Sequence, residues 1–195
     1  RAELAAQGRA VLGLSVDGKP GDGLLHPDAA SVEERSLALA LAMEMGDAEV
    51  FEALMRHFEA SNDPALRRQL LSAAGQATQP ELAARARDYA LKPIVRRNEL
   101  GSLVRLDSDN PASWPAARAW MEANYAAMSA KLGGGASIAR MYSSNMCSPA
   151  EAELMTAKWS ERLRDVEGGP RALAQTVESI NLCAALKARH GGGLR

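Results

Sequence analysis

Three histidines, His26, His57 and His190, are the first place to look for metal chemistry in this chain. A zinc-protease helix needs His-Glu-x-x-His, because residues at i and i+4 put both imidazoles on one face. No two of the histidines are close in sequence, and no metal ligand set is expected. His57 lies among charged residues of a helical stretch and reads as a surface or boundary side chain. Nucleophilic chemistry fares no better. There is no Gly-x-Ser-x-Gly, and Cys147 and Cys183 have no adjacent histidine. Both cysteines sit among apolar helical neighbours and read as small buried hydrophobes, against the alternatives of a disulfide or a reactive thiol. On that reading they do not fix the redox compartment. Gly133-Gly134-Gly135-Ala136-Ser137 lacks the preceding strand and the lysine of a phosphate-cradling loop, and reads as a helix stop and linker. The carboxylate pairs Glu33/Glu34 and Glu151/Glu153 fall in first helical turns, where the helix dipole favours negative charge.

The arginines have two readings. Arg96 and Arg97 follow a helix end broken by Pro93, and Arg140 precedes Met141 and Tyr142. They can compensate helix C-termini on a solvated surface. Alternatively they form a cationic wall that receives a carboxylate, which a guanidinium pairs bidentately.

The elements that would position these residues are helices. Ser31-Val-Glu-Glu34 is a capping box. Asp47 precedes Val50, Phe51, Leu54, Met55 and Phe58, an apolar stripe at helical period. Asp63-Pro64 gives a cap followed by proline at the first helical position, and Gln79-Pro80 repeats that start with a poorer cap. The starts at 31, 47, 63 and 79 are spaced by 16 residues. One helix of about three turns plus a short turn fits each unit, so two units make a helical hairpin, as in stacked helix-pair arrays. Leu37-Ala-Leu-Ala-Leu-Ala-Met43 alternates like a strand, but a capping box precedes it and Gly46 follows, so a largely buried helix is expected.

Further along, a helix is expected over Asn98 to Leu106, and the longest helix over Pro111 to about Leu132. A short helix follows at Ile138 to Tyr142. One more opens at the Ser148-Pro149-Ala-Glu151 capping box, and a last one at Gly169-Pro170. Residues 14–28, rich in glycine and proline, read as a surface loop, and 191–195 as a frayed tail. No boundary is sharp enough to split the chain, so 1–195 is expected to be one helical-repeat domain of about ten helices.

Composition agrees with an all-α class. Of 195 residues 47% are hydrophobic but only 4% aromatic, a mix poor in strand formers. A formal net charge of −1 provides no excess of positive charge for a phosphate backbone, so nucleic acid is not an expected partner. No stretch approaches the ~20 apolar residues that span a bilayer. The chain starts at Arg1, which looks like a boundary inside a longer protein. Abundant Ala and Arg hint at a GC-rich bacterial genome. A soluble protein of bacterial cytoplasm or periplasm is expected, with the compartment undecided.

Several stretches, in order, resemble one family. Leu91-Lys-Pro-Ile-Val-Arg96-Arg-Asn-Glu99 looks like a helix end in which an arginine is followed by a polar segment closing on an acid. Ala119-Trp120-Met121-Glu-Ala-Asn124-Tyr125 looks like an Ala-Trp-aromatic-x-x-Asn-Trp helix. The glycine break with Ile138-Ala-Arg140 and the closing Glu178-Ser-Ile180-Asn181 follow. Together they resemble, over roughly residues 63 to 190, the C-terminal helical domain of the aminopeptidase N and puromycin-sensitive aminopeptidase family, zinc metallopeptidases of the gluzincin type. Met121 and Tyr125 stand where that family often has Phe and Trp, and Asn181 is not the usual neighbour.

The resemblance implies HEAT-like antiparallel helix pairs curved into a bowl over an upstream zinc catalytic domain of the same chain. The bowl would enclose the active-site chamber and contact the C-terminal part of peptide substrates, with Arg96 and Arg140 as candidates for its inner wall. Zinc would belong to the parent's upstream domain, and this chain alone would hydrolyse nothing. An excised array should expose an apolar face, so self-association of the isolated chain is expected. The alternative reading is a free-standing helical-repeat scaffold that binds another protein on its concave face.

Overall fold

The computed structural model describes residues 1–104 and 111–191. Among the described residues there are ten α-helices and no strand, only an isolated antiparallel bridge between Val16 and Lys19. The chain forms two compact units, Arg1–Asn110 and Pro111–Arg195.

The first unit holds α1 (Ala2–Val11), α2 (Arg35–Glu44), α3 (Ala48–Ala60), α4 (Pro64–Ala74) and α5 (Pro80–Tyr89). Helix α1 packs on α2, α2 on α4, and α3 on α4. Alternate helices are neighbours elsewhere too. Phe58 of α3 meets Tyr89 of α5 edge-on at 6.2 Å, and Glu52 and Glu59 of α3 pair with Arg85 and Tyr89 of α5. That arrangement is the stack which the 16-residue spacing predicts. The α1–α2 crossing depends on Gly8: a Cβ there would lie 2.1 Å from the Ala38 carbonyl oxygen and 2.9 Å from the Ala42 Cβ.

The starts follow the sequence closely. Asp47 accepts from the Glu49 N–H and Asp63 from the Ala65 N–H, both at 2.9 Å. The Ser31–Glu34 box forms one turn ahead of α2. Gln79 does not cap its own helix. Its amide donates to the Gly46 carbonyl, and the Thr78 hydroxyl donates to the Glu44 carbonyl, so this start closes the end of α2 instead. Within 37–43, Ala38, Leu39, Leu41, Ala42 and Met43 are buried, as a helix buried on most of its surface requires.

Two expectations in this unit need correction. The helix expected over Asn98–Leu106 is a single 3-10 turn, Leu100–Ser102, and Leu106 lies outside the described residues. Leu100, Leu103 and Val104 are nonetheless buried. His57 is not at the surface; it is 8% exposed, and its Nε2 donates to the Leu12 carbonyl at 3.1 Å. The charged neighbours in sequence lie on other faces of α3, while the loop after α1 covers this one. Residues 14–28 form that loop, ending in a 3-10 turn, Pro27–Ala29. It is tied down by Gly23 N–H to Gly13 O and His26 N–H to Val11 O.

The second unit holds α6 (Trp114–Ala123), α7 (Tyr125–Leu132), α8 (Ala136–Tyr142), α9 (Pro149–Leu163) and α10 (Gly169–Arg189). The helix expected to run unbroken to Leu132 is interrupted at Asn124. Its side-chain amide and its backbone N–H both donate to the Trp120 carbonyl, a local bond that competes with the helical ladder. The longest helix is therefore α10, with 21 residues. Trp159 is fully buried and centres this unit, edge-on to Tyr142 at 5.2 Å and to Tyr125 at 5.7 Å.

The cysteines are the other correction. Cys147 and Cys183 form a disulfide across Cα atoms 5.1 Å apart. Cys147 lies just before the Ser148 cap of α9, outside the helix. The α9–α10 hairpin folds back through the turn at 164–168, and its register sets that position beside Cys183. Neither sequence neighbourhood carries that information alone.

Burial lowers the His57 pKa below the ordinary imidazole value of 6.5, and the bond to Leu12 only partly offsets it. The unfolded chain therefore binds the proton more readily, and the stabilising contribution is complete above about 6.5 and is lost as pH falls from there. The first unit's denaturation midpoint should drop as pH is lowered through that range. His57→Gln, which keeps a donor for Leu12, should flatten the drop; an equal drop in both proteins contradicts the assignment.

Candidate functional site

The segment that follows α5 alternates between inward and outward residues. Val95, Glu99 and Leu100 are buried, whereas Arg96, Arg97 and Asn98 are exposed. A buried carboxylate needs a partner, and Glu99 finds it in Arg67 of α4. Arg67 Nε donates to Glu99 Oε1 at 2.8 Å and Nη2 to Oε2 at 3.0 Å. The remaining donors are used as well. Nη1 reaches the Phe58 and Ser61 carbonyls at 3.3 and 3.2 Å, and Nη2 reaches the Ile94 carbonyl at 3.0 Å. All five N–H groups of a guanidinium thus have acceptors, and the group also lies 4.0 Å from the Phe58 ring centroid. Arg67 closes the orphan carbonyls at the end of α3 and anchors the 94–99 turn.

Burial pushes the Glu99 carboxyl up, but Arg67, the Arg96 N–H and the nearby positive charge outweigh it and hold the pKa below the usual range. The bond from Glu99 raises Arg67. Glu99 also shapes the turn. Its Oε2 accepts from the Arg96 N–H at 2.8 Å, and its own N–H donates to the Arg96 carbonyl at 3.0 Å. That reciprocal pair fixes the backbone at Arg96 and leaves its side chain outside. Arg96 lines a cleft of about 290 Å³ with Pro64, Ala65, Arg68, Asn98 and Glu99. Arg68 and Arg96 form no ion pair with a carboxylate among the described residues. Chemically this is a cationic rim on a rigid base, suited to holding a carboxylate or similar anion.

Arg140 lies in the second unit, in the last turn of α8, and is exposed. Its carbonyl accepts from the Ser143 hydroxyl at 3.0 Å. The two arginines singled out from sequence therefore belong to different compact units. Beside α8, Arg118 donates to the Tyr142 and Ser144 carbonyls at 3.0 and 2.9 Å, closing that helix end. Glu122 accepts from the Tyr142 hydroxyl and the Lys158 ammonium, both at 2.5 Å.

Sequence reasoning missed Arg67, because its partner stands 32 residues away. The one available signal was the acid that closes the Arg96–Glu99 stretch.

His26 Nε2 faces both Asp22 oxygens at 2.9 Å, and His57 is spent on Leu12. Among the described residues no three of His, Cys, Asp and Glu gather where they could hold a metal. Nor is any helix among them long and apolar enough to cross a membrane.

Removing one partner of a buried ion pair typically costs about 3–5 kcal/mol. Glu99→Gln should therefore lower the unfolding free energy of the first unit by an amount of that order, read by urea denaturation. A loss below about 1 kcal/mol, the level of an exposed pair, would show that Arg67 does not depend on Glu99.

Comparison with known families bears on residues 14–182, which match the model of the ERAP1-like C-terminal domain. No curated protein matches the chain. The match begins well before residue 63, where the resemblance read from sequence starts, and takes in the loop and α2 to α3. An all-helical stack matched over most of its length in this way belongs to the ERAP1-like C-terminal domain family, the non-catalytic C-terminal helical domain of aminopeptidases.

Proposed function

We propose that this chain is the C-terminal domain of a zinc-dependent aminopeptidase, that it encloses the active-site chamber, and that it contacts the C-terminal part of peptide substrates. The zinc belongs to an upstream catalytic domain of the same chain, the domain's first partner. Peptides are the second, received at Arg96 and Arg140. The observation that carries this reading is the cleft at Arg96, whose side chain forms no ion pair among the described residues and stands beside Arg68 on a turn locked from below by Glu99 and Arg67. A rigid base lowers the ordering cost of capturing a carboxylate. The family match favours this reading over a free-standing scaffold. Exposed Leu37 on α2, Met45 at its C-cap, and Leu182 and Leu186 on α10 are the surfaces through which the isolated chain would self-associate.

A charge-assisted bond is worth about 1.5–3 kcal/mol, or roughly 10- to 100-fold in binding. In the full-length enzyme, Arg96→Gln and Arg140→Gln should each lower kcat/KM by at least about tenfold for peptides with a free C-terminal carboxylate. The same peptides amidated at the C-terminus should change by less than about twofold. Equal losses on both peptide forms, or no loss on either, would exclude these arginines from carboxylate recognition.

A further inference from the structure

The buried stripe of α10 ends early. Ala172, Leu173, Thr176 and Ile180 are buried, but from Asn181 to His190 only Ala184 is even half-buried. The last turns of this helix thus lack the apolar packing that stabilises helices in proteins. Among the described residues, a covalent link joins them to the rest of the unit through Cys183, bonded to Cys147 in the segment before α9. That anchor is firm at its other end. The Cys147 N–H donates to the Glu151 carboxylate at 2.8 Å, and the same carboxylate accepts from the Ser148 hydroxyl. The disulfide is therefore fastened to a capped helix start on one side and to an otherwise exposed helix end on the other. Cys183 is exposed and Cys147 half-buried, so the bond is open to thiols from solution. Beside it runs an apolar groove between α9 and α10 of about 450 Å³, whose lining includes Pro149 and Asn181, each two residues from a bridged cysteine.

We propose that the Cys147–Cys183 disulfide is a redox-sensitive clasp. When closed, it holds the C-terminal turns of α10 and one end of the adjoining groove; when reduced, it releases them while the Trp159 core stays folded. Opening proceeds by attack of a reductant thiolate on the exposed Cys183 sulfur. This forms a mixed disulfide and expels the Cys147 thiolate, which takes up a proton. A second reductant thiolate then attacks the reductant sulfur of the mixed disulfide and expels the Cys183 thiolate, which also takes up a proton, so that two electrons pass to the protein and the reductant leaves as its own disulfide. Closing is the reverse and needs a disulfide oxidant, such as a protein thiol oxidase or its disulfide partner.

The test is hydrogen exchange on the full chain, oxidised and after dithiothreitol, with free thiols counted by alkylation and mass. Oxidised protein should show no free thiol. Reduction should expose two and raise exchange at amides 183–187 at least tenfold, while amides 155–163 change by less than twofold. Cys183→Ser without reductant should reproduce the reduced pattern. Two free thiols in protein kept from reductant, unchanged exchange at 183–187, or loss of protection spreading through 155–163 would each overturn the proposal. The last would make the bond a staple of the whole unit and not a clasp on its end.

Discussion

The first unit is organised around one buried guanidinium. Taking Arg67 out of water is unfavourable unless every donor finds an acceptor, and here each does. Two go to the Glu99 carboxylate and three to carbonyls at Phe58, Ser61 and Ile94. Three pieces of chain must therefore stay together: the end of α3, the first turn of α4 and the turn after α5. Ion pairs of this sort add little to net stability compared with apolar packing, but breaking them is costly. Their effect is to restrict which arrangements are tolerated. The arrangement enforced here leaves Arg96 on the outside of a turn whose carbonyl and N–H are both bound to Glu99.

The rest of the unit needs less chemistry. The helices pack through alanine, leucine and phenylalanine faces, and Gly8 lets α1 lie close against α2. Such stacks are held by nearest-neighbour contacts. A repeat array can thus carry a polar lock in one layer without every layer sharing it. The second unit uses aromatic packing around Trp159 and a covalent bond between the segment before α9 and α10.

Local features were readable from sequence because their causes are local. Asp47 and Asp63 cap because a short carboxylate reaches an N–H two residues on. The alternating run at 37–43 folded as a helix because its capping and stop signals outweighed its pattern. Non-local features were not readable. The partner of Arg67 and the position of Cys183 depend on how helices return past one another. The burial of His57 has the same cause, since the carbonyl it bonds, that of Leu12, lies 45 residues earlier in the chain. The break at Asn124 had a local cause, an amide able to take the carbonyl four residues back, but asparagine inside helical sequences does not always do so. Of the arginines, Arg96 fell on a built cleft and Arg140 on an exposed helix end. Sequence spacing could not distinguish the two settings.

The first unit depends on Arg67 and Glu99 acting together. A double-mutant cycle with Arg67→Met, Glu99→Gln and both together, read as unfolding free energies, measures that dependence directly. A coupling of about 2–3 kcal/mol between the two positions is predicted, the double variant losing far less than the sum of the singles. Additivity to within about 0.5 kcal/mol would contradict it.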